Sequence, residues 1–164
     1  MIRITITILF LFFLSDINSQ EIYSKLIFTK NNCPTYIVNN NIIANQKVIE
    51  IHKGFILDIS VLKDKPTRDQ DKIYNLTENG VVFIKLKNKL KYKTQNELNI
   101  FFGLNSKNNL YVNGYLLEES DYKIATESII DIELISPNTE NKFKNKTINV
   151  WTLTKEERTT SCSK

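Results

Sequence analysis

One histidine, two cysteines and a single methionine are all that the 164 residues supply of those types, and the scarcity removes whole classes of chemistry. A zinc site draws on several nitrogen and sulfur ligands, and a hydrolytic triad needs a base beside its nucleophile. His52 with the widely separated Cys33 and Cys162 furnishes neither. No catalytic residue, cofactor or metal is therefore expected. Long apolar runs are missing too: the stretch over residues 8–14 falls well short of the ~20 residues a spanning helix needs. The chain is also too short for a large transmembrane barrel. Glycine is scarce, at four residues, beside a heavy use of Asn, Lys and Ile.

The short apolar run does fit an export signal. Arg3 precedes it, Ser15, Asp16 and Asn18 follow it, and small Ser19 stands before Gln20. This order predicts a secretory signal peptide over residues 1–19, the alternative being a retained anchor that its length disfavours. No Cys stands near the cleavage region to carry a lipid, and no transmembrane segment is expected after cleavage. Losing Arg3 together with Asp16 leaves the formal charge at +4. What remains suffices for one domain or two small ones. Export favours thiol pairing, so Cys33 and Cys162 form a candidate disulfide closing the two ends of the folded region. The alternative is a frayed tail at RTTSCSK, since spacing alone does not establish connectivity.

The body of the chain reads as one idea used twice. Residues 20–34 form an N-terminal tether in which Leu26, Ile27 and Phe28 could make a short strand. Unit 1, residues 35–93, starts with Tyr36, Ile37 and Val38, a strand ended by Asn39, Asn40 and Asn41. A short helix or turn follows near 45–52. Leu57, Ile59 and Val61 then alternate with Asp58 and Ser60, which predicts a half-buried strand. After the charged loop KDKPTRDQDK, Val82, Ile84 and Leu86 alternate with lysines. Residues 94–108 connect the units: Thr94 and Glu97 have capping-box spacing ahead of Leu98, Ile100, Phe101 and Leu104, so a helix is predicted, with a strand as the alternative. Unit 2, residues 109–156, repeats the order, with Val38 answering to Val112, Asn39 to Asn113 and Asp58 to Asp131. Val82 and Phe83 are set opposite Val150 and Trp151. Residues 157–164 form a tail.

At these positions the sequence resembles the plug domain of TonB-dependent outer-membrane receptors. That family's pattern is a strand ending in V-D-G or V-N-G, an acidic helix, a strand like I-E-x-I-E-V-L-K, and a closing G-V-I-x-I-T-T-K. Leu110–Tyr111–Val112–Asn113–Gly114 matches the first element. Residues 56–63 and 129–135 match the middle strand, and residues 80–87 and 150–155 the last. Unit 1 has Asn40 where the turn glycine would stand, and unit 2 lacks the Gly-rich loop and the glycine before its last strand. The resemblance implies an α+β fold of two tandem plug-like units, each a few mixed strands with a short helix. It further implies an exported, periplasmic or outer-membrane-associated accessory module with an envelope or outer-membrane protein as partner. Without a barrel, transport by this chain alone is excluded by size.

A basic stretch carries the other functional candidate. Lys85, Lys87, Lys89, Lys91 and Lys93 stand at strict period two in KLKNKLKYK, opposite Leu86, Leu90 and Tyr92. If the strand continues that far, five ammonium groups share one face, a candidate anion site for an envelope glycolipid or glycan. The alternative is lysines guarding a sheet edge. Nucleic acid is not expected as a partner of an exported chain of modest charge. Asp58, Asp131 and Glu133 are read as solvent-facing carboxylates, His52 as a turn or partly exposed residue, and Trp151 and Phe83 as core.

Overall fold

A computed structural model describes residues 25–26, 30–63, 74–138, 143–159 and 162; the expected signal peptide lies outside the described residues. The fold grows from a hairpin and a crossover that occur twice. In unit 1, β1 (Thr35–Val38) turns into β2 (Ile42–Ala44), a helix α1 (Gln46–Ile51) follows, then β3 (Ile56–Leu62) and β4 (Val81–Leu86). β4 returns parallel to β1 and antiparallel to β3. In unit 2, β6 (Leu110–Val112), β7 (Tyr115–Leu116), β9 (Asp131–Ile135) and β10 (Thr147–Trp151) repeat these pairings, with β10 parallel to β6 and antiparallel to β9. Each unit thus orders its strands third, fourth, first, second.

Register makes the correspondence residue-specific. Val38 lies opposite Ile84, and Val112 opposite Val150. Ile59 lies opposite Ile84, and Ile132 opposite Val150. Asp58 and Asp131 therefore occupy equivalent places. The closing strands align two residues further on than expected, Ile84 with Val150 and Lys85 with Trp151. A two-residue slip preserves the face in a strand, which is why the alternation pattern alone missed it.

The first turn of each unit is built by the same asparagine device. Asn39 and Asn113 have φ of 47° and 52°, a left-handed conformation that Asn tolerates better than most residues. Each donates its backbone N–H to the carbonyl of Ile84 or Val150 at 2.9 Å. Each side-chain Oδ1 then accepts from the N–H two residues further along that strand, Leu86 at 2.9 Å or Thr152 at 2.8 Å. The side chain extends the parallel ladder by one rung after the backbone has turned away. Asn40 and Gly114 complete the turns at φ of 77° and 87°, and two successive positive φ values suit the tight turn at Asn113–Gly114.

The units are not separate bodies. Between β7 and β9, where unit 1 has α1, unit 2 has β8 (Lys123–Ala125) and a single 3-10 turn, Thr126–Ser128. β8 pairs with β2 of unit 1 and with β5 (Tyr92–Thr94), giving one sheet in the order β3-β4-β1-β2-β8-β5 and a second in the order β7-β6-β10-β9. One core draws on both sheets: Ile37, Ile43, Val81 and Ile124 from the first, Leu110, Val112, Ile148 and Val150 from the second. The far face of the larger sheet, Val38, Ile42, Ile84 and Leu86, is covered by Val48 and Ile49 of α1 and by Leu90. On the far face of the smaller sheet, Tyr111, Leu116 and Ile135 pack with Leu26. The fold is α+β, as expected.

Asn45 stitches the units at the start of α1. Its Oδ1 accepts from Val48 N at 3.0 Å as the helix cap, its Nδ2 donates to Thr152 O at 3.2 Å, and its N–H donates to Ser128 Oγ at 3.0 Å. The second helix, α2 (Gln95–Phe101), has the expected capping box between Thr94 and Glu97, and the backbone N–H and hydroxyl of Thr94, donating to Glu97, hold that carboxyl below its usual range. Its burial differs from the apolar reading. Leu98 enters the core, yet Ile100 and Phe101 are exposed while Asn99 is fully buried. Asn99 Nδ2 donates to Ser106 O and Asn108 O, folding the following loop back on the helix.

Candidate interaction surfaces

The lysine series does not lie on one strand. β4 ends at Leu86 and β5 begins at Tyr92 on the opposite side of the sheet, with β1, β2 and β8 between them. Residues 87–91 cross that gap of four strand spacings, roughly 19 Å. The crossing bends at Lys87 and Asn88 and is otherwise irregular, yet its burial still alternates from residue to residue outside any strand. Leu90 turns under onto the α1-covered core and Asn88 meets His52, while Lys87, Lys89 and Lys91 face outward. Lys85 and Lys93 are exposed on β4 and β5. Lys85, opposite Asp58, and Lys93, opposite Ile124, belong to the shared-core side of the sheet, while Leu90 of the crossover packs on the other side, so the five cations do not share one face. Lys93 is 3.9 Å from Glu97. Tyr92, expected on the face opposite the lysines with Leu86 and Leu90, is 43 % exposed, and the Lys123 ammonium sits 4.4 Å above its ring.

His52 ends α1 as its C-cap. Its Nδ1 is 2.8 Å from Asn88 Nδ2 and its Nε2 is 3.7 Å from Glu127 Oε2. This polar contact joins the helix, the crossover and the 3-10 turn of unit 2. Among the described residues no group of three or more His, Cys, Asp or Glu side chains is arranged to hold a metal ion.

The carboxylates lie at their expected period-two positions, but two of them have cationic or indole partners. Arg158 Nη2 reaches Asp131 Oδ2 at 3.2 Å, and its guanidinium lies 4.2 Å from the centre of the buried Trp151 ring. Trp151 Nε1 donates to Glu133 Oε2 at 3.2 Å. Asp58 stands opposite Lys85 in register. The start of the tail is likewise held: Thr154 N donates to Glu157 Oε2 at 2.8 Å, and Cys162 is bonded to Cys33, their Cα atoms 5.2 Å apart. Beneath it lies a cavity of about 230 Å³, lined in part by Tyr36, Asn45, Lys47, Thr154, Glu157 and Cys162. Burial, and then the carboxylates of Glu50 and Glu157, push the Tyr36 phenol above its ordinary range. The cavity is smaller than the usual small-molecule site.

The β3 edge departs most from the sequence reading. The alternation places Leu57, Ile59 and Val61 apart from Asp58 and Ser60, but the strand is not half-buried. Leu57, Ile59 and Val61 are 60 %, 53 % and 56 % exposed. Their side of the sheet is the α1-covered face, where Val82 and Ile84 of β4 are partly or fully enclosed, and of β3 only Ile56 joins the cluster that α1 covers. Asp58 and Ser60 lie on the side that carries the shared core. Ile51 and Phe55, at 60 % and 50 % exposed, prolong the apolar character just ahead of the strand. A bulge between Ile56 and Asp58 interrupts its start. Among the described residues nothing pairs with the outer edge of β3. Sequence reasoning had the parity but not the exposure, because periodicity shows which residues share a face and not whether anything covers it.

Among the described residues no helix is long and apolar enough to cross a membrane. No protein-family model, curated protein or solved structure matches the chain.

Proposed function

We propose that the protein is an exported, non-enzymatic interaction module of the cell envelope, an accessory of outer-membrane uptake or envelope machinery, that engages its partner through the β3 edge. The observation that carries this reading is the run of exposed Leu57, Ile59 and Val61 on a strand whose outer hydrogen-bonding groups have no strand partner among the described residues. An open edge offers backbone bonds to an added strand, and its alternate side chains supply selectivity. The Cys33–Cys162 bond supports an oxidising compartment. The plug resemblance rests on the short motifs and their repeated order.

The test is site-specific photocrosslinking from Val61 in intact envelopes, read by mass spectrometry. Capture of a receptor or another uptake component from Val61, with none from the distant Lys144, is expected. Equal capture from both positions would sink the reading.

The outward line of Lys87, Lys89 and Lys91 favours a second reading, binding of an anionic envelope glycolipid or glycan. Reversing these three charges would abolish salt-sensitive glycolipid binding and leave capture through Val61 intact.

A further inference from the structure

The first occupant of the β3 edge is a second copy of this chain: we infer that two molecules pair antiparallel through β3 about a two-fold axis at Ile59. This deepens the interaction-module reading by naming one partner of the same edge.

The edge is self-complementary in one register. Centred on Ile59, it sets Leu57 opposite Val61, Ile59 opposite Ile59 and Asp58 opposite Ser60. Every apolar side chain of the exposed stripe then meets an apolar one, and no like charges face each other across the seam. A register centred one residue later sets Leu57 opposite Lys63 and Asp58 opposite Leu62, mixing apolar with charged positions. Hydrophobic pattern selects strand register, and here it selects Ile59. The remaining charge, Asp58, already faces Lys85 on its own sheet.

The surroundings fit a copy better than the sequence that follows β3. A two-fold axis perpendicular to the sheet keeps equivalent faces together, so both stripes emerge on the α1 side. They would fill the trough between two α1 helices and join two six-stranded sheets into one. The sequence that follows β3, residues 64–73, is charged and offers only Pro66 before Ile73, so it lacks the apolar partners the stripe requires. Exposed apolar edges are what proteins normally blunt. The bulge between Ile56 and Asp58 leaves 58–62 regular, so pairing about Ile59 is regular from Asp58 to Ser60 and the Leu57–Val61 contacts fall at its bulged ends.

Sedimentation equilibrium of the exported chain with its disulfide intact tests this. The weight-average mass should rise with concentration toward twice that of the monomer. Ile59→Lys should hold the chain monomeric with unchanged circular dichroism, since residue 59 is already 53 % exposed. Ser60→Lys, placed opposite the partner's Asp58, should tighten the dimer roughly threefold to tenfold, and Ser60→Asp should weaken it by a similar factor. A monomer at every concentration, or a dimer indifferent to Ile59→Lys, overturns the proposal. Weakening by both substitutions at residue 60 overturns the Ile59 register. Photocapture of an envelope protein from Val61 by a strictly monomeric chain would leave the interaction-module reading standing while this inference fails. A dimer without such capture would do the reverse.

Discussion

Ile59 and Ile132 sit on equivalent rungs of equivalent edge strands, yet Ile59 is 53 % exposed and Ile132 packs against the shared core. What differs is the segment before each strand. In unit 1 it coils into α1, six residues whose cluster takes in β1, β2 and β4 but only Ile56 of β3. In unit 2 the corresponding segment leaves to become β8 of the larger sheet. The face of unit 2 equivalent to the α1-covered face is buried against the opposite face of unit 1. The two units therefore pack head to tail. In unit 2 this arrangement partly buries Ile132 while Ile130 and Leu134 stay 47 % and 44 % exposed, and in unit 1 it leaves all three equivalent residues more than half exposed. Repetition of sequence has fixed strand order and turns, and the choice between a short helix and a lent strand has decided burial.

Cutting the link between the start of unit 1 and the end of unit 2 should have the largest effect. Cys33 and Cys162 are separated by 129 residues, and in the chain-entropy model so long a closed loop contributes about 5 kcal/mol. The Cys33→Ala, Cys162→Ala double variant should lower the thermal midpoint by roughly 10–20 °C. A change of only a few degrees in calorimetry would mean that the packed units need no tie.

The lent strand comes next. Ile124 of β8 is fully buried in the core that both sheets share, so Ile124→Ala should cost roughly 2–5 kcal/mol. The loss should appear as a shift of a single unfolding transition, because the core spans both units. Ile59→Ala on the open edge should cost under about 1 kcal/mol. Two resolved transitions, with Ile124→Ala moving only one, would show independent domains and break the comparison.

How much of this could be read beforehand follows from what periodicity encodes. Val38 with Val112, and Asp58 with Asp131, were identifiable because spacing within a repeat is a local property. The capping box at Thr94 and Glu97 was identifiable for the same reason. The slip of β10 against β4 was not, since two residues restore the same face. The lysine series gave a true alternation from a false cause: residues 87–91 alternate in burial because Asn88 meets His52 and Leu90 packs on the α1-covered core, not because they belong to a strand. Nor could the fate of β8 be seen, because three residues, Lys123–Ala125, carry no signal of which sheet they will join. The exposure of β3 depends on how far α1 reaches, a tertiary fact. Of the candidate surfaces, the lysines and the cysteine pair were visible as residue types. The apolar edge was visible as a pattern and misassigned to the core.

Alkali should separate the units at one rung. Ile37 in unit 1 answers to Tyr111 in unit 2, and burial pushes the Tyr111 phenol up to about 12. The folded state thus favours the protonated phenol, so its stabilisation is complete below the unfolded value near 10 and is lost as pH rises toward 12. Wild type should lose roughly 2 kcal/mol across that interval. Tyr111→Phe should remove most of the loss, leaving the smaller part from Tyr36, whose phenol is also raised. Urea unfolding at about pH 9 and about pH 11 measures the difference; an identical decline in Tyr111→Phe would assign the effect elsewhere.

The smallest difference bears on the feature the units share most closely. Asn39→Ala and Asn113→Ala each delete the acceptor for a strand N–H and leave a side chain at positive φ without its polar compensation. The lost bond and the strain are each worth about 1 kcal/mol. Asn113 also donates from Nδ2 to Thr152 Oγ1 at 2.8 Å, a contact at the turn of unit 2, so its alanine variant should be the more damaging by about 1 kcal/mol. Asn→Gly at the same positions removes the acceptor without the positive-φ strain. Glycine should therefore cost less than alanine at both sites, with residue 113 remaining the worse of the two in either series. If denaturant unfolding gives equal losses at 39 and 113, the extra bond contributes nothing and the two turns are energetically one device. If glycine and alanine are equally harmful, the side-chain rung and not the backbone conformation accounts for asparagine at both turns.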